Sequence, residues 1–321
     1  MTRLVQLMHP GGEHRIPASG RKPWNRDKHA RCFLKSRGSF SRDNAGRDRG
    51  VGDLVFWGEW EAPAHAQRLG CGGDGLPTWI CVPKVCSCAA VQQPQNTDPF
   101  VFGDTFLYSC CKQVRRNGSA TLLRKLQRGD VILFGSRLDG RFVLDTVFVV
   151  ARSEIFETNR GVELLTGRVP AEFVETVLRP LARASRLEPR GAEADLRGCG
   201  PEEWAPEDEE YAACAAACAP VGTQYRLYWG ATPDDPVDGM FSFAPAQLAE
   251  HAPAGFRRPA IDAHFINANL RGFKTCLEDE DENSSHQIVK AAWEKVVSQV
   301  IQQNHLLGFQ FALPEWERDH A

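Results

Sequence analysis

Asp130-Val131-Ile132-Leu133-Phe134-Gly135-Ser136 and Phe142-Val143-Leu144-Asp145-Thr146-Val147-Phe148-Val149-Val150 are two apolar runs joined by a connection that holds Asp139-Gly140. Asp-Gly between apolar runs is the strongest short-range hairpin signal, so the pair is predicted to be a β-hairpin. Both runs lack the polar alternation of a half-exposed strand, which predicts burial on both faces. Asp145 breaks its run, and a carboxylate in a buried strand must find a partner or a ligand. Ser136, at the end of the first run, flanks the same hairpin and is carried with Asp145 as a candidate ligand contact.

Outward from the hairpin, the chain offers further short elements. Val51 to Glu61 reads as a turn feeding an aromatic strand, and Phe100 to Tyr108 as a second aromatic strand broken by Gly103-Asp104. Tyr225 to Trp229 and Met240 to Phe243 read as strands. Phe173, Val177, Leu178 and Leu181 permit a short helix over residues 171–186. The best helix comes late: Ser284-Ser285 can cap a run in which Ile288, Val289, Ala292, Trp293, Val296, Val297, Val300 and Ile301 recur at 3.6-residue spacing, ending near Gly308. Short strands with few helices place the chain in the α+β class. Residues 1–152 are expected to hold a basic N-terminal region and an aromatic β core, and 153–321 an irregular acidic insertion, further strands and the C-terminal helix that completes the fold.

Composition agrees with a folded chain. With 321 residues, 42% of them hydrophobic, 18 Phe and 8 Trp, the chain can bury a core and is too apolar to stay disordered. Twenty Pro and 28 Gly against three Met favour many short elements over a helical bundle. Met1 to Pro10 lacks the apolar centre of a secretory signal, and nowhere do about 18 apolar residues run together. The expectation is a cytoplasmic protein without a membrane partner, in which the 11 cysteines are thiols rather than disulfides.

Charge is unevenly spread. Residues 1–50 hold twelve Lys or Arg against four acids, and Lys112, Arg115, Arg116, Arg124, Lys125 and Arg128 follow with no acid among them. Such a face suits a polyanion, and Arg15, Arg21, Lys22, Arg26, Lys112, Arg115 and Arg116 are the candidate phosphate contacts. A solvated surface is the plainer reading of the same residues. Acids gather at Glu193 to Glu210 and at Glu278 to Glu282, where a basic protein partner could dock.

Val51-Gly52-Asp53-Leu54-Val55-Phe56-Trp57-Gly58 and Arg128-Gly129-Asp130-Val131-Ile132-Leu133-Phe134-Gly135-Ser136 share a pattern: Gly-Asp at the mouth of an aromatic-containing strand that runs to a Gly. This pattern resembles the core of PUA-like small β-barrels, the superfamily that includes ASCH, EVE and YTH domains, and covers about a third of the chain. The resemblance implies a mixed β-barrel that reads nucleobases, often modified ones. Such domains also occur in bacterial proteins associated with nucleotide modification.

Within Phe56-Trp57-Gly58-Glu59-Trp60-Glu61, alternation places Trp57, Glu59 and Glu61 on one face and Phe56, Gly58 and Trp60 on the other. An extruded base is held by stacking on aromatic faces while carboxylates or amides read its edge. Trp57, Glu59 and Trp60 are therefore candidates, with Trp57 expected to line an open pocket and Trp60 to be core. Asn96 and Asp98, on the turn before the second aromatic strand, supply an amide and a carboxylate, although such residues also bond their own backbone. His9-Pro10-Gly11-Gly12-Glu13-His14 could supply an acid and a base, so His9, Glu13 and His14, with Asp104, are the candidate catalytic residues. Cys71, Cys81, Cys86 and Cys88 lack the paired Cys-x-x-Cys knuckles of a zinc ribbon, so no metal or other cofactor is favoured. No dinucleotide fingerprint, phosphate-binding loop or serine-hydrolase elbow occurs.

The expected function is recognition of a nucleic acid or nucleotide, through a base held in a stacking pocket. An enzyme acting on a nucleobase or nucleotide, and a partner-binding subunit, remain as alternatives.

Overall fold

The computed structural model describes residues 2–9, 21–23, 31–60, 62–68, 79–85, 97–115, 118–186, 222–277 and 282–317. Fourteen strands occur among them: β1 (Leu4–Met8), β2 (Arg21–Pro23), β3 (Arg31–Ser41), β4 (Arg49–Glu59), β5 (Pro63–Arg68), β6 (Trp79–Val85), β7 (Leu107–Tyr108), β8 (Val131–Leu138), β9 (Arg141–Glu157), β10 (Gln224–Gly230), β11 (Ala244–Leu248), β12 (Phe273–Leu277), β13 (Leu306–Phe311) and β14 (Glu315–Trp316). Helices are few: α1 (Gly161–Leu165), α2 (Ala171–Phe173), α3 (Arg179–Arg186), joined to α2 by a wider turn over Val174–Leu178, and the long α4 (Glu282–Gln302). The fold class is α+β, as the short apolar runs predict. None of the helices among the described residues is long and apolar enough to cross a membrane.

The strands form two sheets. One has the order β12-β1-β8-β9-β10-β7; the other runs β13-β11-β4-β3-β6-β5-β2, with β14 added on β6. In the second sheet β13 pairs with both β11 and β3, while β11 pairs with β4 and β4 with β3, so these four strands pair in a closed circuit. The β8–β9 hairpin forms as read: Asp139 (φ 50°) and Gly140 (φ 77°) both take the left-handed backbone that a two-residue turn demands.

Alternation along the six-stranded sheet divides the core. Val5, Leu7, Ile132, Phe134, Phe148 and Val150 face Leu34, Phe40, Leu54, Phe56 and Trp60 of the second sheet. Leu4, Val131, Leu133, Val147 and Val149 face Val289, Ala292, Trp293, Val296, Val297 and Val300 of α4. The helical stripe is the one its spacing predicts except at its ends, where Ile288 is exposed and Ile301 only partly buried, and Trp293 is core, its Nε1 donating to the Phe241 carbonyl at 3.2 Å. A smaller cluster, Phe33, Val55, Trp57, Ile80, Ala252 and Phe256, packs on the opposite face of β3 and β4.

Several boundaries differ from the sequence reading. Gly52-Asp53 lies inside β4, opposite Gly38 and Arg37, and is no turn, because β3 is long enough to pair with all of Arg49–Glu59. Of the aromatic run 100–108, only Leu107–Tyr108 is strand; Phe100 and Leu107 exchange backbone bonds around Gly103 (φ 90°), which folds the run back on itself. α4 stops at Gln302, with Asn304 left-handed (φ 61°), while Gly308 belongs to β13. Ser285 sits inside the helix rather than at its start, and its Oγ accepts the Thr2 backbone N–H at 3.0 Å, tying the first strand to α4. The boundary at 152 falls within β9, and β9–β10, β4–β11 and β3–β13 join the two halves of the chain.

Candidate functional site

The hairpin that decides the fold also builds the site. Between β8 and β9 the register slips: Phe134 faces Thr146, but Gly135 faces Leu144, which leaves Asp145 as an extra residue on β9. A bulge of this kind re-aims one side chain out of the alternation. Gly135 is required opposite it, since a Cβ there would lie 2.3 Å from the Val143 carbonyl oxygen and 2.4 Å from the Phe142 ring. The Gly135 carbonyl accepts the His9 backbone N–H at 2.8 Å, so the same bulge anchors the residue that follows β1.

His9 and Arg258 both contact Asp145 and link it to the rest of the cluster. His9 Nδ1 is 3.5 Å from Asp145 Oδ2, and His9 Nε2 is 3.6 Å from Oε2 of Glu59, the last residue of β4. The imidazole stacks on Phe134, with ring centroids 5.4 Å apart. From the β11–β12 connection, Arg258 Nη1 donates to Ser136 Oγ at 2.8 Å and to Asp145 Oδ1 at 3.1 Å. Its guanidinium lies 4.1 Å over the Trp57 ring, which also packs at right angles to Phe33 with ring centroids 5.0 Å apart. The neighbouring backbone holds Arg258 there: Leu144 N–H donates to Pro259 O, and Ile261 N–H to Phe142 O.

All of these groups are buried: His9 is 8% exposed, Glu59 and Arg258 6%, Trp57 and Asp145 3%. Two carboxylates taken from water require compensation, and the Arg258 guanidinium faces one of them while the His9 imidazole lies between both. Both His9 ring nitrogens and the Trp57 indole N–H are buried without a hydrogen-bond partner. Chemically, the cluster offers two carboxylates as acceptors, an imidazole able to give or take a proton, and an indole donor.

His9, Trp57, Glu59, Ser136 and Asp145, read separately from the sequence, are therefore brought together. Trp57 differs from expectation in being enclosed: Arg258 and Phe33 occupy its surroundings, so it lines no open pocket in this structure. Trp60, fully buried, packs edge-on to Phe102 at 5.4 Å and is core, as the face assignment predicts. Arg258 was missed. It lies in a Pro- and Gly-containing segment with no periodicity, and its only local signal is a second basic residue, Arg257.

Other candidates lie apart from the cluster. Asp98 is a structural carboxylate: it accepts the backbone N–H groups of Ser109 (2.9 Å), Cys110 (2.7 Å) and Cys111 (2.8 Å), which consumes the acceptors expected to read a base. Burial pushes it up to about 7 against the pull of these donors. Burial and the Asp98 carboxylate also push the Cys110 thiol well up, which disfavours the thiolate. Asp104 is exposed, accepts from Gln310 Nε2 at 3.0 Å, and lines a groove of about 330 Å³ with Arg37, Gln310 and Leu313 rather than joining His9.

Lys112 is half-buried, and its ammonium comes beside Gly272, whose carbonyl accepts the Met8 N–H at 2.7 Å, one residue before His9. Arg115 is exposed; Arg21 and Lys22 lie on β2, paired with His65 and Ala64. Glu13, His14, Arg15, Arg26, Asn96, Arg116, Cys71, Cys86, Cys88 and the acidic stretch Glu193 to Glu210 lie outside the described residues; Cys81 is buried in β6. No family model, curated protein or solved structure matches the chain.

Proposed function

We propose that the protein recognises a nucleotide or a nucleic acid, reading a base at the cluster of His9, Trp57, Glu59, Ser136, Asp145 and Arg258. The carrying observation is the set of buried ring nitrogens without hydrogen-bond partners, two on His9 and one on Trp57, beside two carboxylates at the meeting of four strands. Buried polar groups are nearly always bonded, and an unfilled set at one place is what a ligand would complete. Lys112, with Arg21 and Lys22 of the basic N-terminal region, supplies cations for the phosphates. The closed pairing circuit of β3, β4, β11 and β13 supports the PUA-like reading of the core.

The test is binding of nucleotides and of short single-stranded oligonucleotides, measured by calorimetry at two salt concentrations. Glu59→Gln, which exchanges half of the carboxylate for a donor, is expected to weaken binding at least about tenfold, the worth of a charge-assisted hydrogen bond. Affinity is expected to fall with salt, and the log–log slope to become shallower in Arg21→Ala/Lys22→Ala. Absence of binding at low salt overturns the reading.

A second reading rests on His9 itself. An imidazole with Nδ1 against Asp145 and Nε2 against Glu59 has the arrangement of a base oriented by a carboxylate, suited to proton transfer on a bound nucleotide. Turnover of a bound nucleotide, lost in His9→Gln while binding persists, would favour it over recognition alone.

A further inference from the structure

Trp57 is read from the sequence as a stacking platform, yet the guanidinium of Arg258 lies 4.1 Å over its ring and Phe33 packs against it at right angles, with ring centroids 5.0 Å apart. The indole is 3% exposed, and its Nε1–H is buried with no acceptor. A buried N–H left unpaired is costly, and indole nitrogen is a donor only, so no change of protonation relieves it. The plane of the ring is held by neighbours, while the polar edge is the part left without a partner. Two residues along the same face of β4, Glu59 offers the opposite chemistry, a carboxylate that only accepts.

We propose that Trp57 meets the ligand through its indole N–H and not through its ring face, and that the ligand is a lactam-bearing base, one with a carbonyl oxygen beside a ring N–H. This inference rests on the recognition proposed above and names the edge that is read. The carbonyl oxygen accepts from Trp57 Nε1, and the ring N–H donates to the Glu59 carboxylate; only hydrogen bonds form, and no covalent bond changes. Guanine, hypoxanthine and uracil carry such an edge. Adenine and cytosine present an amino group beside an unprotonated ring nitrogen, which gives the carboxylate no ring N–H and the indole no carbonyl on the Watson–Crick edge of adenine. Arg258, stacked on the indole and held by Ser136 and Asp145, fixes the position of the donor.

The experiment compares the 5′-monophosphates of guanosine, inosine, uridine, adenosine and cytidine, with 2-aminopurine riboside monophosphate as the guanine analogue that lacks both the carbonyl and the ring N–H beside it. For the wild-type protein the lactam nucleotides are expected to bind at least about tenfold more tightly than the adenine and cytosine nucleotides, with the 2-aminopurine compound among the weak ligands. Trp57→Phe keeps an aromatic ring and removes the donor to the carbonyl, but leaves the guanine ring N–H its Glu59 acceptor, so in this variant the preference for guanosine over 2-aminopurine nucleotide is expected to shrink without vanishing. The comparison among ligands on the wild-type protein needs no variant to fold. Tighter binding of adenine or cytosine nucleotides, or a guanosine preference undiminished in a folded Trp57→Phe protein, would overturn the inference and leave base recognition standing, while equal binding of all the nucleotides would overturn the inference and leave only recognition of the nucleotide as such. Binding of none of them would overturn the recognition reading, and this inference with it.

Discussion

Arg258 neutralises Asp145 inside the protein, and the consequence is measurable residue by residue. Arg258→Met keeps an apolar stem over Trp57 but removes the guanidinium that pairs with the Asp145 carboxylate. Breaking a buried pair from one side costs about 3–5 kcal/mol, because the remaining charge stays out of water. Denaturant unfolding is expected to show a loss of that size for Arg258→Met, and a smaller loss for Arg258→Met combined with Asp145→Asn. If the double variant loses as much as the sum of the single ones, the two residues are not coupled. Trp57→Ala and Trp60→Ala are both expected to cost about 3–5 kcal/mol, since both rings are enclosed.

His305 adds a pH dependence at the same scale. It packs on Phe256, with ring centroids 4.9 Å apart, and burial holds its pKa down at about 4, against 6.5 when exposed. Below 6.5 the unfolded chain takes up a proton that the folded chain does not accept until about 4. The unfolded state therefore binds more protons in this window, and stability is lost as pH falls through it. His305→Gln is expected to lower the thermal midpoint less at pH 5 than at pH 7.5, relative to wild type. A difference independent of pH would show that His305 is not held neutral.

At the scale of elements, the bulge in the β8–β9 hairpin does the positioning. Gly135→Ala is expected to cost about 1–3 kcal/mol or more, because the added methyl meets the Val143 carbonyl and the Phe142 ring. It should also displace Asp145 from Arg258, which a loss of ligand binding larger than the loss of stability would report. A fully active, fully stable Gly135→Ala protein would show that the bulge is not what aims Asp145. The hairpin itself was legible, since Asp139-Gly140 and the apolar runs on either side are local signals. So was α4, whose stripe has a period that no strand shares. The bulge was not, because a slip of one residue leaves composition and run length unchanged; only Asp145 within the apolar run hinted at it. Arg258 was illegible for a related reason: its partners Ser136 and Asp145 lie more than a hundred positions away in the chain, and nothing local marks such a contact. Asp98 shows the converse. A turn carboxylate has two uses, base reading and backbone capping, and three N–H groups from the following loop decide for the second.

On the scale of the whole molecule, the site depends on both halves of the chain. β1, paired with β12 and β8, leads into His9, β4 brings Glu59 opposite Arg31 of β3, and the segment after β11 brings Arg258 onto β9. A fragment of residues 1–152 would end inside β9 and lack β10, β11, β12 and β13, so it is expected to show no cooperative unfolding transition. The central claim is that this shared cluster reads a base, and calorimetric titration of guanosine 5′-monophosphate into wild-type and Glu59→Gln proteins at low salt tests it most directly. Saturable binding to the wild type, weakened at least about tenfold in a Glu59→Gln protein of unchanged fold, is the predicted result. Equal affinity of the two proteins, or no heat of binding with either, would contradict it.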